Sequence, residues 1–91
     1  MYTIKLTRSY KRSLKKINIS GNKNVVKEIE KVVGVIFKGI KLEKRYKDHK
    51  LSGVLHAYRE CHVKSDLLLI YQINDDELIL VDVGSHHQLF G

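Results

Sequence analysis

Histidine, the side chain best suited to acid–base catalysis at neutral pH, is confined to the second half of this chain. All five histidines lie between residues 49 and 91. Because an imidazole accepts or releases a proton near neutral pH, histidines with polar neighbours predict a proton-transfer site. Charged or polar residues flank three of them in the sequence. These groups are Lys47, Asp48 and His49; Arg59, Glu60 and His62, followed by Asp66; and Ser85 and His86, followed by Phe90.

These residue types are suited to cutting RNA without a metal ion. In that reaction a 2′-hydroxyl attacks the adjacent phosphorus and the 5′-oxygen leaves, which requires a general base, a general acid and positive charge around the transition state. Three histidines and two carboxylates are candidates for proton transfer, and two cations are candidates for charge stabilisation. They are His49, His62 and His86; Asp66 and Glu60; and Lys47 and Arg59. We interpret His56 and His87 as residues outside the site.

Several of these candidates also have a purely structural interpretation. Asp66 occupies a predicted turn, where aspartate is common. Arg59 is predicted on the apolar face of a strand, where it would form an internal ion pair or pack against the core. Phe90 would fill part of the core near the C-terminus. The sequence leaves both interpretations open for each of the three.

The charge of the chain is distributed unevenly. The net charge is +7, with 15 Lys/Arg and 4 Asp/Glu in residues 1–50 (+11) against 2 and 6 in residues 51–91 (−4). A basic surface attracts nucleic acid or an acidic protein, although a solvated lysine surface has the same composition. The densest group lies on a predicted helix and comprises Lys11, Arg12, Lys15 and Lys16.

Several classes of protein and site are disfavoured by composition. The chain has no apolar run of 18 residues and no leader-like apolar N-terminus, so we expect a cytoplasmic protein that does not contact membranes. Cys61 is the single cysteine, which excludes an internal disulfide and a cysteine-based zinc site. His86 and His87 would point apart on an extended chain, so we expect neither a metal nor a cofactor. Cys61 remains a possible nucleophile, but strand alternation places it opposite His62.

Apolar spacing predicts a single α+β domain over residues 1–91. Alternation predicts a strand over residues 2–6, and helical spacing predicts a helix capped by Thr7 or Ser9 and ended by residues 20–22. A second helix is predicted from about Asn24 to Phe37. Three strands then follow over about 54–63, 67–73 and 77–83, with a short tail from Ser85. The order β-α-α-β-β-β predicts a helix hairpin packed on a small antiparallel sheet.

These elements would bring the candidate site residues together. Within the strand predicted over 54–63, His56, Tyr58, Glu60 and His62 share one face, and Arg59 and Cys61 lie among the residues on the other. Asp66 lies at the next turn and His86 follows the last strand, so both would approach His62.

Four stretches of the sequence resemble one family. They are Tyr46-Lys47-Asp48-His49-x-Leu51-x-Gly53, Tyr58-Arg59-Glu60-Cys61-His62-Val63-x-x-Asp66-x-Leu68-Leu69-Ile70-Tyr71, Asp75-Asp76-Glu77-Leu78 and Gly84-Ser85-His86-x-x-Leu89-Phe90. In this order and spacing the chain resembles a YafQ-type toxin of the RelE/ParE superfamily. The family fold, two helices on a small antiparallel sheet, agrees with the elements predicted above.

The resemblance implies a ribosome-dependent mRNA endonuclease from a type II toxin–antitoxin pair. It implies a cognate antitoxin, the ribosome and mRNA as partners, with operator DNA contacted only through the antitoxin complex. Family active-site histidines match His49, His62 and His86, the family acid matches Asp66, and the C-terminal aromatic residue matches Phe90. Lys47, Arg59 and Glu60 also occupy family positions.

The chain departs from the family at two positions. Leu67 stands where the family often has Trp, and Asp82 stands where many members have Arg. Because a carboxylate repels phosphate, Asp82 supports a first alternative, in which the protein is a catalytically weakened toxin that still binds its antitoxin. The superfamily also contains non-enzymatic inhibitors of protein targets such as DNA gyrase, which is the second alternative.

Overall fold

The computed structural model describes residues 1–53 and 57–91 and has an α+β fold. Its elements are β1 (Thr3–Leu6), α1 (Arg8–Ile19), α2 (Lys23–Phe37), a 3-10 helix (Lys44–Tyr46), β2 (His49–Lys50), β3 (Arg59–Lys64), β4 (Leu67–Asn74), β5 (Glu77–Gly84) and α3 (His86–Phe90). The predicted fold, a helix hairpin on a small sheet, is confirmed. None of the helices in the described ranges is long and apolar enough to cross a membrane.

The five strands form one sheet in the order β1-β5-β4-β3-β2. Strands β3, β4 and β5 pair antiparallel as predicted, and two-residue turns join β3 to β4 and β4 to β5. The short strand β2, which was not predicted, pairs antiparallel with β3. Strand β1 instead pairs parallel with β5, Thr3 opposite Glu77. A parallel pairing requires a long crossover, and the helix hairpin that follows β1 provides one.

Several element boundaries differ from the prediction. The strand predicted from about Val54 begins at Arg59, after a turn at Ala57. Residues 54–56, and with them the prediction for His56, lie outside the described residues. Strand β1 is exposed rather than half-buried, because it lies at the edge of the sheet. The polar connection contains β2, and the predicted C-terminal tail forms α3.

The core lies between the helix hairpin and one face of the sheet. The α2 stripe of Ile29, Val32 and Ile36 is buried, together with Tyr10 of α1. Their partners on the sheet include Cys61, Leu69, Tyr71, Leu78, Leu80 and Val83. Burying one large apolar side chain contributes about 1.5–3 kcal/mol, so this layer holds the strands that carry the candidate site in place.

An irregularity in β5 decides which of its side chains enter the core. Ile70 pairs with Asp82, but Tyr71 pairs with Leu80, so Val81 is an extra residue. Such a bulge reverses the alternation beyond it. As a result Leu80 and Val83 are both buried, whereas a regular strand would have put Asp82 on the same face as Leu80.

Candidate active site

Two histidines and one carboxylate form the centre of the candidate site. Glu60 Oε1 lies 3.5 Å from His49 Nε2 and 3.8 Å from His62 Nε2. Glu60 is 7% exposed, whereas half of the His49 side chain is accessible. One buried carboxylate oxygen therefore lies within 4 Å of a ring nitrogen of each histidine.

Local strand geometry brings these three side chains together. His49 lies directly opposite Glu60 in the β2–β3 pair, which places them on one face. Glu60 and His62 are two residues apart on β3, so they share that face as the sequence predicts. Immediately after His62, a bulge at Val63 shifts the β3–β4 register. Bulges are common beside active sites because they redirect neighbouring side chains.

A backbone hydrogen bond orients the His49 ring. Its Nδ1 lies 2.7 Å from the Lys47 carbonyl oxygen. Since a carbonyl only accepts hydrogen bonds, Nδ1 carries the hydrogen and donates it. In the neutral ring Nε2 is then unprotonated and faces Glu60 at the site. This assignment gives His49 the tautomer that a general base using Nε2 requires.

A second group of site residues lies at the start of α3. The His86 backbone N–H donates to Asp66 Oδ1 at 3.1 Å, and the rings of His86 and Phe90 lie 5.1 Å apart between centroids. Asp66 therefore holds the backbone that carries His86. The sequence analysis expected Asp66 to approach His62, whereas the hydrogen bond that the structure shows is made to the main-chain amide of His86.

The sheet register places the two groups at one end of the molecule. His62 pairs with Leu68, and Leu68 pairs with Gly84, two residues before His86. Neighbouring strands are about 4.8 Å apart, so the backbones at His62 and Gly84 are separated by about 10 Å.

A capping box fixes α3, and the sequence analysis missed it. The Ser85 side chain accepts from the Gln88 N–H at 3.1 Å, and the Gln88 side chain accepts from the Ser85 N–H at 2.8 Å. The Ser-x-x-Gln spacing is a known signature of a helix start and would have revealed α3. A Cβ atom at Gly84 would lie 2.8 Å from Gln88 Oε1, so this glycine leaves room for the box.

Arg59 has a partner within the protein. Its guanidinium donates to Asp48 Oδ2 at 2.9 Å, and the buried Tyr71 hydroxyl donates to Asp48 Oδ1. The hydrogen bond that Arg59 donates to Asp48 raises the pKa of Arg59. The pKa of Tyr71 is raised mainly by burial and next by its hydrogen bond to the same carboxylate. These contacts support the internal ion pair; a substrate contact by Arg59 stays a prediction.

Cys61 does not fit the role of a nucleophile. It is fully buried on the opposite face of β3 from His62, as strand alternation predicts. The pKa of its thiol is raised to about 12, mainly by burial and to a smaller extent by the negative charges of Asp48 and Glu60. The thiol is therefore neutral at physiological pH, and a neutral thiol is a poor nucleophile.

Asp82 contacts helix α1. Its carboxylate oxygens accept hydrogen bonds of 2.7 Å from the hydroxyls of Ser9 and Ser13, and one also accepts from the Val83 N–H. Asp82 lies in the last part of β5, after the residues that pair with β1. Its carboxylate connects this part of the strand to the helix hairpin. These hydrogen bonds show that Asp82 holds β5 to α1. They weaken the argument that its carboxylate repels a phosphate bound in the site.

The described part of the chain contains no group of three or more His, Cys, Asp or Glu side chains arranged to hold a metal ion.

The sequence was also compared with known protein families. The model for the bacterial toxin YafQ of type II toxin–antitoxin systems matches residues 2–91. The chain belongs to the YafQ toxin family. The mRNA interferase toxin YafQ of Escherichia coli K12 is 46% identical over 46 residues, which is 50% of each chain. In such matches the chain spans about half the length of the curated relatives.

Solved structures of similar toxins share this fold over nearly the whole chain. A metal-bound toxin from Helicobacter pylori is 42% identical, with a TM-score of 0.86, and the match covers 99% of this chain and 100% of that one. YafQ from the E. coli DinJ–YafQ toxin–antitoxin complex is 28% identical, with a TM-score of 0.86 over 99% and 98% of the two chains. The YafQ-type fold inferred from the motifs is therefore confirmed.

Proposed function

We propose that this protein is a ribosome-dependent mRNA endonuclease, the toxin of a type II toxin–antitoxin pair. The observation that carries the proposal is the placement of His49 and His62 on either side of Glu60, with His86 at the same end of the sheet. The similarity to a relative named mRNA interferase toxin supports the same activity.

The proposed reaction uses the histidines for both proton transfers. One imidazole removes the proton of the 2′-hydroxyl as its oxygen attacks phosphorus, and another protonates the departing 5′-oxygen. The products are a 2′,3′-cyclic phosphate and a free 5′-hydroxyl. Glu60 stabilises the imidazolium that forms beside it, and Lys47 adds positive charge next to the reacting phosphate. Phe90, about two-fifths exposed, stacks on a base.

The proposed protein partner is an acidic antitoxin. Four cations, Lys11, Arg12, Lys15 and Lys16, are exposed on α1. Lys11 and Lys15 line a groove of about 360 Å³ together with Leu14 and Val26, and Glu30 is the one acidic residue in its lining. A groove with apolar residues and more cations than carboxylates suits an acidic amphipathic segment, and a relative has been solved in complex with DinJ. Operator DNA would be reached through that complex, in the cytoplasm.

The proposal is tested by expressing single-residue variants without the antitoxin. We expect His62→Ala and His86→Ala to lower mRNA cleavage by about 10²–10⁴-fold and to relieve growth arrest, because each removes one proton transfer. His87→Ala is the matched control, since His87 is an exposed neighbour of His86 on α3. Primer extension on cellular mRNA measures the cuts.

Intact mRNA in cells arrested by the parent protein would overturn the proposal. If DNA damage accompanied that arrest, a gyrase-type inhibitor on the same fold would explain it. Full toxicity of both histidine variants would instead show that the assigned residues are wrong.

A further inference from the structure

A concave pocket of about 300 Å³ adjoins the candidate site on the side of His62. His62 forms part of its wall, so the pocket is continuous with the proposed cleavage position. Arg45, Lys47 and Lys64 also line it, and Ser65 supplies a hydroxyl. Three cations around one hollow attract an anion far more strongly than the same charges dispersed over a surface.

The cations reach the pocket from two segments that are distant in sequence. Arg45 and Lys47 belong to the connection after α2, whereas Lys64 ends β3. Tyr46 supports this arrangement, because its buried ring lies 4.6 Å from the Arg45 guanidinium and its hydroxyl accepts from Arg45 at 2.7 Å. Glu43 approaches Arg45 only to 3.8 Å, with both side chains well exposed. Such an exposed pair is weak and leaves the guanidinium available to an anion.

The backbone at Lys47 provides a second argument. Lys47 adopts a left-handed conformation, φ 48° and ψ 41°, which costs a residue other than glycine about 1–2 kcal/mol. Its carbonyl orients His49, but a glycine would provide the same carbonyl without strain. A lysine at this strained position thus favours a role of its side chain outside folding, because strained residues cluster at functional sites.

We propose that this pocket binds a backbone phosphate of the RNA next to the one that is cleaved. Arg45 and Lys64 are then positioning residues of the substrate strand, alongside Lys47. The inference rests on the proposed nuclease function and adds to it a defined path for the RNA, from the pocket past His62 towards His86. An acidic segment of the antitoxin is the competing occupant.

The test measures binding of a short single-stranded RNA with 2′-O-methyl groups, which cannot be cleaved, at several salt concentrations. Each phosphate contact with a single strand contributes about 0.7 to the slope of log affinity against log salt. Arg45→Gln and Lys64→Gln are each expected to lower that slope by about 0.7 and to weaken binding about fivefold at 0.1 M salt. Lys27→Gln, at an exposed lysine on α2, is the matched control.

Lys47→Gly separates binding from folding. It relieves the left-handed strain, so its melting temperature should equal or exceed that of the parent while its RNA affinity falls. A parent that does not bind the RNA, or an equal slope change in Lys27→Gln, overturns the phosphate site. Unchanged RNA binding with weaker antitoxin binding in the Arg45 and Lys64 variants would assign the pocket to the antitoxin.

Cleavage assays on the same proteins distinguish the two proposals. If the parent cuts mRNA but the pocket variants keep its salt slope, the phosphate site is wrong and the nuclease stands. If the slopes change as expected but the parent leaves mRNA intact, the nuclease is wrong and the RNA-binding pocket stands.

Discussion

At the scale of single residues, hydrogen-bond partners decide what each candidate side chain does. His49 donates to a carbonyl through Nδ1 and presents Nε2 to Glu60, which gives the ring a defined tautomer. Asp66 contacts a backbone amide, and Arg59 contacts Asp48. Residue type therefore indicates the chemistry available, while the partner determines whether a side chain acts on the substrate or holds another group.

Cys61 gives a prediction about stability at alkaline pH. Its pKa is about 12 in the folded protein against an ordinary value of 9.0. The folded state keeps the thiol proton to a higher pH than the unfolded state does. The contribution of the protonated thiol to the free energy of unfolding is therefore complete below pH 9 and is lost as pH rises towards 12. The difference in free energy of unfolding between the parent and Cys61→Ala should narrow by about 1 kcal/mol from pH 8 to pH 10.

Urea unfolding of both proteins at pH 7, 8, 9 and 10 measures this difference. The alanine variant is the control for all other groups that titrate in this range, such as Tyr10, whose pKa burial raises to about 12. A constant difference across the range would contradict the raised pKa of Cys61.

At the scale of elements, α3 is a short helix whose position depends on its cap. Five residues are too few for a stable isolated helix, so the capping box and Asp66 must fix it. Because α3 carries both His86 and Phe90, small shifts of its first turn move two candidate site residues at once.

The cap predicts unequal effects on activity and on global stability. Gln88→Ala removes half of the box and should cost about 1 kcal/mol or less in unfolding free energy, yet lower mRNA cleavage at least tenfold. Gly84→Ala should act similarly, because its Cβ atom displaces Gln88 Oε1. The double variant should be little worse than Gln88→Ala alone, since both changes disrupt one interaction.

Cleavage rates and thermal unfolding of the three variants check this expectation. His87→Ala again serves as the control on the same helix. Additive losses of activity in the double variant would show that Gly84 and Gln88 act independently.

At the scale of the whole molecule, basic residues from the first half of the sequence line two separate pockets. Lys11 and Lys15 lie on α1 beside an apolar groove, whereas Arg45 and Lys47 lie beside His62. The basic residues are thus not one undivided nucleic-acid surface. We infer that the first surface serves the antitoxin and the second the RNA.

This division predicts that the two activities can be changed separately. Lys11→Glu combined with Lys15→Glu should slow antitoxin association about tenfold at low salt and leave mRNA cleavage unchanged, because charge complementarity mainly affects encounter rates. Lys27→Glu combined with Lys31→Glu, on exposed positions of α2, is the control of equal charge. Stopped-flow mixing with the antitoxin at two salt concentrations measures the rates; equal slowing by both pairs would contradict a local docking surface.

The sequence by itself determined the types of the elements β1, α1, α2, β3, β4 and β5, the helix hairpin and the alternation that separates Cys61 from His62, and it nominated the residues of the candidate site. These features are encoded locally, in apolar periodicity, turn residues and short motifs. The tertiary structure decided the parallel pairing of β1, the bulge at Val81 that places Val83 rather than Asp82 in the core, and the partners of Arg59 and Asp66. Each of these depends on contacts between residues far apart in the chain, and no local pattern specifies such contacts.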